Sequence, residues 1–230
     1  MTSEMASSEV NKLEKASGLK EQVYEVLKNA IMKRECTPNE RMDANTIAIK
    51  LNVSRTPVRD ALNMLDHEGF VYTIARKGTY VKGIQRDDLI QIFQVREMIE
   101  LYALDIGTER LFKSMEPMIE AVREWDNLSI HQNNGIMLMS SDAKFHKHIV
   151  QVTENPLIIK AYDDLNCHVQ MARAYYVQDE TRMRAAHQEH TDILNAAMDQ
   201  NHDKIKTALK LHLDNTLVNL LKIIEVSKIL

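Results

Sequence analysis

Glycine, proline and cysteine are all scarce in this chain of 230 residues. Six glycines fall well short of the usual share of about 7%. Parallel-sheet cofactor folds need glycine turns, so with only four prolines the balance favours helices. Two cysteines, Cys36 and Cys167, exclude a disulfide scaffold and a four-cysteine zinc ribbon. No run approaches the roughly 18 apolar residues of a membrane span. The first residues, MTSEMASSEV, lack the apolar centre of a signal peptide. A reducing cytoplasm and no membrane partner are therefore expected. What is present is an ordinary globular balance, 44% hydrophobic and 27% charged, which excludes wholesale disorder and suits one or two domains.

The net charge of −4 hides an asymmetry. Residues 1–86 hold 14 Lys and Arg against 11 Asp and Glu, whereas residues 87–230 hold 15 against 22. A mildly basic head on an acidic body suits a polyanionic partner for the head. Residues 1–18 are polar without periodicity and are expected to form a flexible N-terminal arm.

From Leu19 the spacing of Val23, Val26, Leu27, Ala30 and Ile31 predicts a helix, which Pro38 ends. Asp43 can cap a short helix carrying Ile47, Ala48 and Leu51. Asn52 suits a left-handed turn residue. Ser54 is an expected N-cap, with Pro57 tolerated in the first turn that follows. Val58, Ala61, Leu62 and Leu65 form the apolar face of that helix, and Gly69 fits its stop. Short strands over Phe70–Ile74 and Thr79–Val81 flank a turn at Arg76, Lys77 and Gly78. Two short helices, a tight turn, a capped third helix and a two-stranded ribbon make a winged helix-turn-helix over residues 19–86.

Beyond Asp87 every pattern is helical. Helices are expected near 87–111, 115–131, 136–153, 156–177, 180–200 and 203–226, with Asp203 capping the last. Short connections imply an all-α antiparallel bundle over 87–230. The predicted fold class is therefore mainly α.

The chemistry of the head lies on the outward face of its third helix. Arg55 and Arg59, one turn apart, project near the helix N-terminus, with Thr56 and Asn63 beside them. Guanidinium groups there can grip phosphates or read guanine edges, and the positive helix end also favours phosphate. Arg76 and Lys77 at the wing tip can reach a neighbouring groove or the DNA backbone. The bland alternative is a solvated charged face, since Asp60, Asp66 and Glu68 share the helix.

Residues 47–71, IAIKLNVSRTPVRDALNMLDHEGFV, resemble the signature of GntR-type transcription regulators. The wing sequence Arg76-Lys77-Gly78-Thr79-Tyr80-Val81 fits as well. The resemblance implies DNA contacts by Arg55, Thr56 and Arg59. It also implies a homodimer on a roughly palindromic double-stranded operator. Three departures are visible. The loop Pro38-Asn39-Glu40-Arg41-Met42 stands where Pro-Gly-x-x-Leu is usual, Asn52 replaces a usual glycine, and Asn45 stands where some members carry a DNA-contacting arginine.

In the helical body, polar residues interrupt apolar stripes. Asp142 and His146, at i and i+4, share a stripe with Leu138, Phe145 and Ile149. His190 aligns with Ala186, Ile193 and Ala197, and His212 with Ile205 and Leu209. Buried polar groups need partners. Three imidazoles and a carboxylate on three helices can supply them by binding one divalent metal. Alternatively, each histidine is a satisfied bystander among nine. Arg96 interrupts the stripe of Leu89, Ile92, Phe93, Ile99 and Ala103 and needs an anion, for which Glu100 at i+4 is the ready partner.

Residues 87–230 resemble the FCD-type effector domain of the FadR subgroup. Asp142-Ala-Lys-Phe-His146, Glu189-His190 and His212 match the motifs of its metal-binding members, and Asn155 fits the turn that follows the first. The resemblance implies a metal held by Asp142, His146, His190 and His212, zinc first, with nickel, manganese and iron also accepted by such donors. It makes Arg96 a clamp for a small carboxylate effector and Arg173 a second candidate. The expected function is a ligand-responsive transcription regulator and not an enzyme. A purely structural metal is one alternative. A metal-dependent hydrolase is the other, but no distinctive general base is visible for it.

Overall fold

The first helix forms because its apolar residues recur on one side. α1 (Leu19–Met32) buries Val23, Tyr24, Leu27, Ala30 and Ile31. The structure is a computed structural model that describes residues 18–33, 35–127, 135–176 and 180–227, leaving out the side chains of 135, 136, 166–168, 170–176, 226 and 227. The predicted arm thus lies almost wholly outside the described residues. The chain divides between Gly83 and Ile84 into two compact units.

In the first unit, α1 and α2 (Ala44–Lys50) pack on α3 (Arg55–His67). Asp43 caps α2 by accepting from the Thr46 amide at 2.9 Å. Val58, Ala61, Leu62 and Leu65 are the buried face of α3, as their spacing predicts. Ser54 occupies the N-cap position of α3, but its side chain makes no capping hydrogen bond, so only its extended backbone starts the helix. β1 (Val71–Ile74) and β2 (Gly78–Val81) pair antiparallel, with Ile74 opposite Gly78 at the wing tip. The loop before α2 joins this ribbon: Asn39 donates to the Val81 carbonyl and Met42 to the Thr79 carbonyl. The two asparagines that replace usual glycines adopt left-handed backbone, Asn39 at φ 66° and Asn52 at φ 52°. Asparagine tolerates that region far better than β-branched or bulky residues. The turns therefore survive both departures.

The second unit is built on α4 (Arg86–Lys113), which packs against α6 (Gly135–Gln151), α7 (Pro156–Tyr176), α8 (Glu180–Met198) and α9 (His202–Ser227). α5 (Glu116–Asn127) lies on α6 and α8. Residues 128–131, which close the predicted second helix of the body, lie outside the described residues. Pro156 begins α7, where its missing N–H costs little. Asn155 accepts from the Leu157 amide at 3.0 Å. The cap of α9 is Asn201, which accepts from the Lys204 amide at 3.0 Å, and not Asp203, which lies one residue inside the helix. The core runs through Ala103, Leu104, Leu111, Met118, Phe145, Ile149, Ile193 and Leu209. Gly107 lets α4 and α6 approach: a methyl group there would meet the Val152 carbonyl oxygen at 2.8 Å.

Candidate metal centre and nucleic-acid face

Helical periodicity places four donors at one point inside the second unit. α6 supplies Asp142 and His146, α8 supplies His190 and α9 supplies His212, all of them buried. One ligand atom from each lies within 4.8 Å of the others. His146 Nε2 stands 3.1 Å from Nε2 of both His190 and His212. Asp142 Oδ1 lies 3.3 Å from His190 Nε2 and 3.9 Å from His146 Nε2.

The outer ring nitrogens explain why the inner ones converge. His146 Nδ1 lies 2.7 Å from Glu100 Oε2, and His212 Nδ1 lies 2.7 Å from Glu189 Oε2. A carboxylate only accepts, so each Nδ1 carries the proton and each Nε2 turns a lone pair inward. Two lone pairs at 3.1 Å repel unless a cation lies among them. Nitrogens about 2.1 Å from one ion are roughly 3.0 Å apart at a right angle and 3.4 Å at the tetrahedral angle. The observed spacing fits that range, so the donor set fits a divalent metal.

Burial holds both imidazoles neutral. It pushes His146 well below the ordinary histidine value, with the Arg96 cation adding to the effect. Burial also lowers His212, outweighing the bond to Glu189. Neutral imidazole is the form that ligates metal. Glu189 behaves oppositely. Burial pushes it up, but hydrogen bonds from His212, Arg182 and Asn215 outweigh burial and hold it at about 2.

Arg96 and Glu100 are both fully buried on α4. Arg96 Nε donates to Glu100 Oε1 at 2.5 Å. Arg96 Nη1 and Nη2 are buried with no hydrogen-bond acceptor. Arg182 offers the contrast. It reaches both Glu189 oxygens at 2.7 Å and the Thr216 hydroxyl at 2.9 Å. One buried guanidinium is engaged by its neighbours, and the other presents two open donors. The side chain of Arg173, on α7, lies outside the described residues.

The ligand stripes and the Arg96–Glu100 pair were visible in the sequence. The roles of Tyr162, which donates to Glu100 Oε1 at 3.2 Å, and of Arg182 were not. Trp125 also gains a place: its ring stands edge-on to His190 with centroids 6.3 Å apart. His148, a further histidine of α6, is satisfied by the Ser114 carbonyl and takes no part in the cluster.

On the first unit, Arg55, Thr56, Arg59 and Asn63 are exposed on α3, and Arg76 and Lys77 are exposed at the wing. Arg76 takes the left-handed turn position, φ 65°. Asn45 accepts from Arg55 Nη1 at 3.3 Å, tying the start of α2 to the start of α3. Among the described residues no helix is long and apolar enough to cross a membrane.

Comparison with known proteins follows the same division. Residues 19–81 match the bacterial regulatory proteins of the gntR family, and residues 91–215 match the FCD domain. The Nta operon transcriptional regulator of Aminobacter aminovorans is 27% identical over 191 residues, which is 82% of this chain and 88% of that protein. A GntR regulator structure from Rhodococcus sp. RHA1 superposes with a TM-score of 0.72 at 18% identity, covering 90% of this chain and 99% of that one. Escherichia coli McbR/YncC gives 0.70 at 20% identity, covering 89% and 98%.

Proposed function

The chain belongs to the GntR family of bacterial regulatory proteins and carries an FCD domain, and we propose that this DNA-binding transcription regulator senses a small carboxylate through a divalent metal. Its matched relatives are regulators and not enzymes. The observation that carries the sensing proposal is the pair of open donors on fully buried Arg96, beside four converging metal donors. A divalent ion with Asp142 and three neutral imidazoles keeps one net positive charge. Glu100 and Glu189 are each matched by an arginine. An anion is the complement to that remaining charge. One oxygen of its carboxylate meets Arg96 while the ligand also approaches the metal. Asp142, His146, His190 and His212 hold the ion, which supplies a Lewis-acid anchor for the effector. Zinc suits these donors best, with nickel, manganese and iron as alternatives.

On the DNA side, Arg55, Thr56, Arg59 and Asn63 enter the major groove, and Arg76 and Lys77 meet the neighbouring groove or backbone. Two heads on a palindromic operator require a homodimer. An apolar stripe supports a second copy as partner: Val95, Met98, Tyr102 and Ile106 are exposed along one side of α4, and Leu211 and Val218 are exposed on α9. Oppositely charged pairs flank the stripe, Lys206 with Asp105 and Lys210 with Glu97. The place of action is the cytoplasm. The effector shifts the dimer only as far as its affinities for the DNA-competent and incompetent states differ.

A purely structural metal is the second reading, favoured by the burial of all four ligands. A thermal-shift screen of small carboxylates on metal-loaded protein separates the two. The sensing proposal expects a carboxylate that stabilises wild type, by about 2.7 kcal/mol at a hundredfold excess over Kd, and that fails on Arg96→Gln. No Arg96-dependent stabilisation by any carboxylate would leave the metal structural.

A further inference from the structure

Glu100 touches both halves of the sensing site at once. It is fully buried on α4, one turn beyond Arg96. Its Oε1 accepts from Arg96 Nε at 2.5 Å and from the Tyr162 hydroxyl at 3.2 Å. Its Oε2 accepts from His146 Nδ1 at 2.7 Å. One carboxylate thus joins α4, α6 and α7 and has three donors sharing its charge. We propose that Glu100 is a positioning residue that couples anion binding at Arg96 to metal affinity at His146. This inference rests on the sensing function proposed above and names the means of its regulation.

The coupling follows from how a carboxylate shares charge among donors. A stronger demand by Arg96 on Oε1 leaves less charge on Oε2, and His146 becomes a weaker electron donor at Nε2. An anion on Arg96 Nη1 and Nη2 draws off part of the guanidinium's charge. Glu100 then holds the His146 Nδ1–H more strongly, and Nε2 binds a cation more tightly. Reciprocity requires that metal on Nε2 also tighten the anion at Arg96. Outer carboxylates on ligating histidines typically change metal affinity by about 10–100-fold, so the leverage is sufficient.

The second Arg–Glu–His chain sets the contrast. Arg182, Glu189 and His212 repeat the order, but Arg182 grips both oxygens of Glu189 and the Thr216 hydroxyl. Asn215 Nδ2 adds a donor at 2.8 Å. That chain fixes the His212 ring. Among the described residues both terminal nitrogens of Arg182 are engaged, whereas the Glu100 chain ends on an arginine whose Nη1 and Nη2 are buried and open.

The test is zinc affinity of the full-length protein, by competition with a chromophoric chelator, with and without acetate as the anion probe. In wild type, acetate is expected to tighten zinc several-fold. Glu100→Gln, nearly isosteric, is expected to weaken zinc about 10–100-fold and to remove the acetate effect. Glu189→Gln is expected to weaken zinc but to keep the acetate effect. Tyr162→Phe supplies an independent sign: losing that donor leaves Glu100 more charge for His146, so zinc should bind tighter, by a few-fold. A merely structural tyrosine would give weaker zinc. Unchanged zinc affinity in Glu100→Gln, an intact acetate effect in it, or looser zinc in Tyr162→Phe each overturns the coupling. Wild type that binds no zinc at all overturns the metal proposal instead, so the two failures are distinguishable.

Discussion

Gly107→Ala tests whether the close approach of α4 and α6 holds the metal centre together. The added methyl would lie 2.6 Å from Val152 Cγ2 and 2.8 Å from the Val152 carbonyl oxygen. A side chain can turn aside, but the carbonyl belongs to the backbone at the end of α6, so the helices must part. Overpacking of this kind costs about 1–3 kcal/mol. The better helix propensity of alanine returns about 0.5–1 kcal/mol. A net loss of about 1–2 kcal/mol should lower the melting temperature by roughly 2–8 °C in a unit of this size. The same displacement should stretch the 2.7 Å contact between Glu100 on α4 and His146 on α6 and loosen metal. Differential scanning calorimetry on metal-free protein reads the first effect, and chelator competition reads the second. Val152→Ala combined with Gly107→Ala should recover only part of the loss, because the carbonyl contact remains. A single variant that melts with wild type and keeps its metal affinity would refute the packing argument.

Arg59→Ala should weaken operator binding and reduce the slope of log affinity against log salt by about one. Its melting temperature should match wild type because Arg59 is exposed. Trp125, the sole tryptophan, lies against His190, so metal loading should change its fluorescence and chelation should reverse the change. Glu189 is held at about 2, below its ordinary value of 4.5. Its contribution is therefore complete above pH 4.5 and is lost as pH falls toward 2. The acid limb of metal-free stability should carry up to about 3 kcal/mol from this residue, and Glu189→Gln should flatten that limb between those limits.

The fold was legible because local signals and the global pattern agree. The face of α3, the glycine stop at Gly69 and the stripes through Asp142, His146, His190 and His212 all follow from helical spacing. Two caps were not legible. Ser54 has the right residue type but makes no bond, and α9 is capped by Asn201, which accepts from the Lys204 amide, rather than by Asp203. Cap choice depends on one or two backbone angles that residue type alone does not set. Arg96 and Glu100 could be paired from their spacing, but the spacing could not say that the pair leaves two donors of Arg96 open. Nor could it bring Tyr162 from α7 onto Glu100, because that contact joins residues 62 positions apart. Periodicity tells which residues face inward; it does not tell what each inward group meets across the core.

The most direct test of the metal centre is metal per chain, by elemental mass spectrometry, on full-length protein purified without a chelator or a histidine tag. About one divalent ion per chain is expected in wild type, with a clear loss in His212→Ala. A folded wild type that holds no metal, even after reloading with zinc, nickel and manganese, would contradict that expectation.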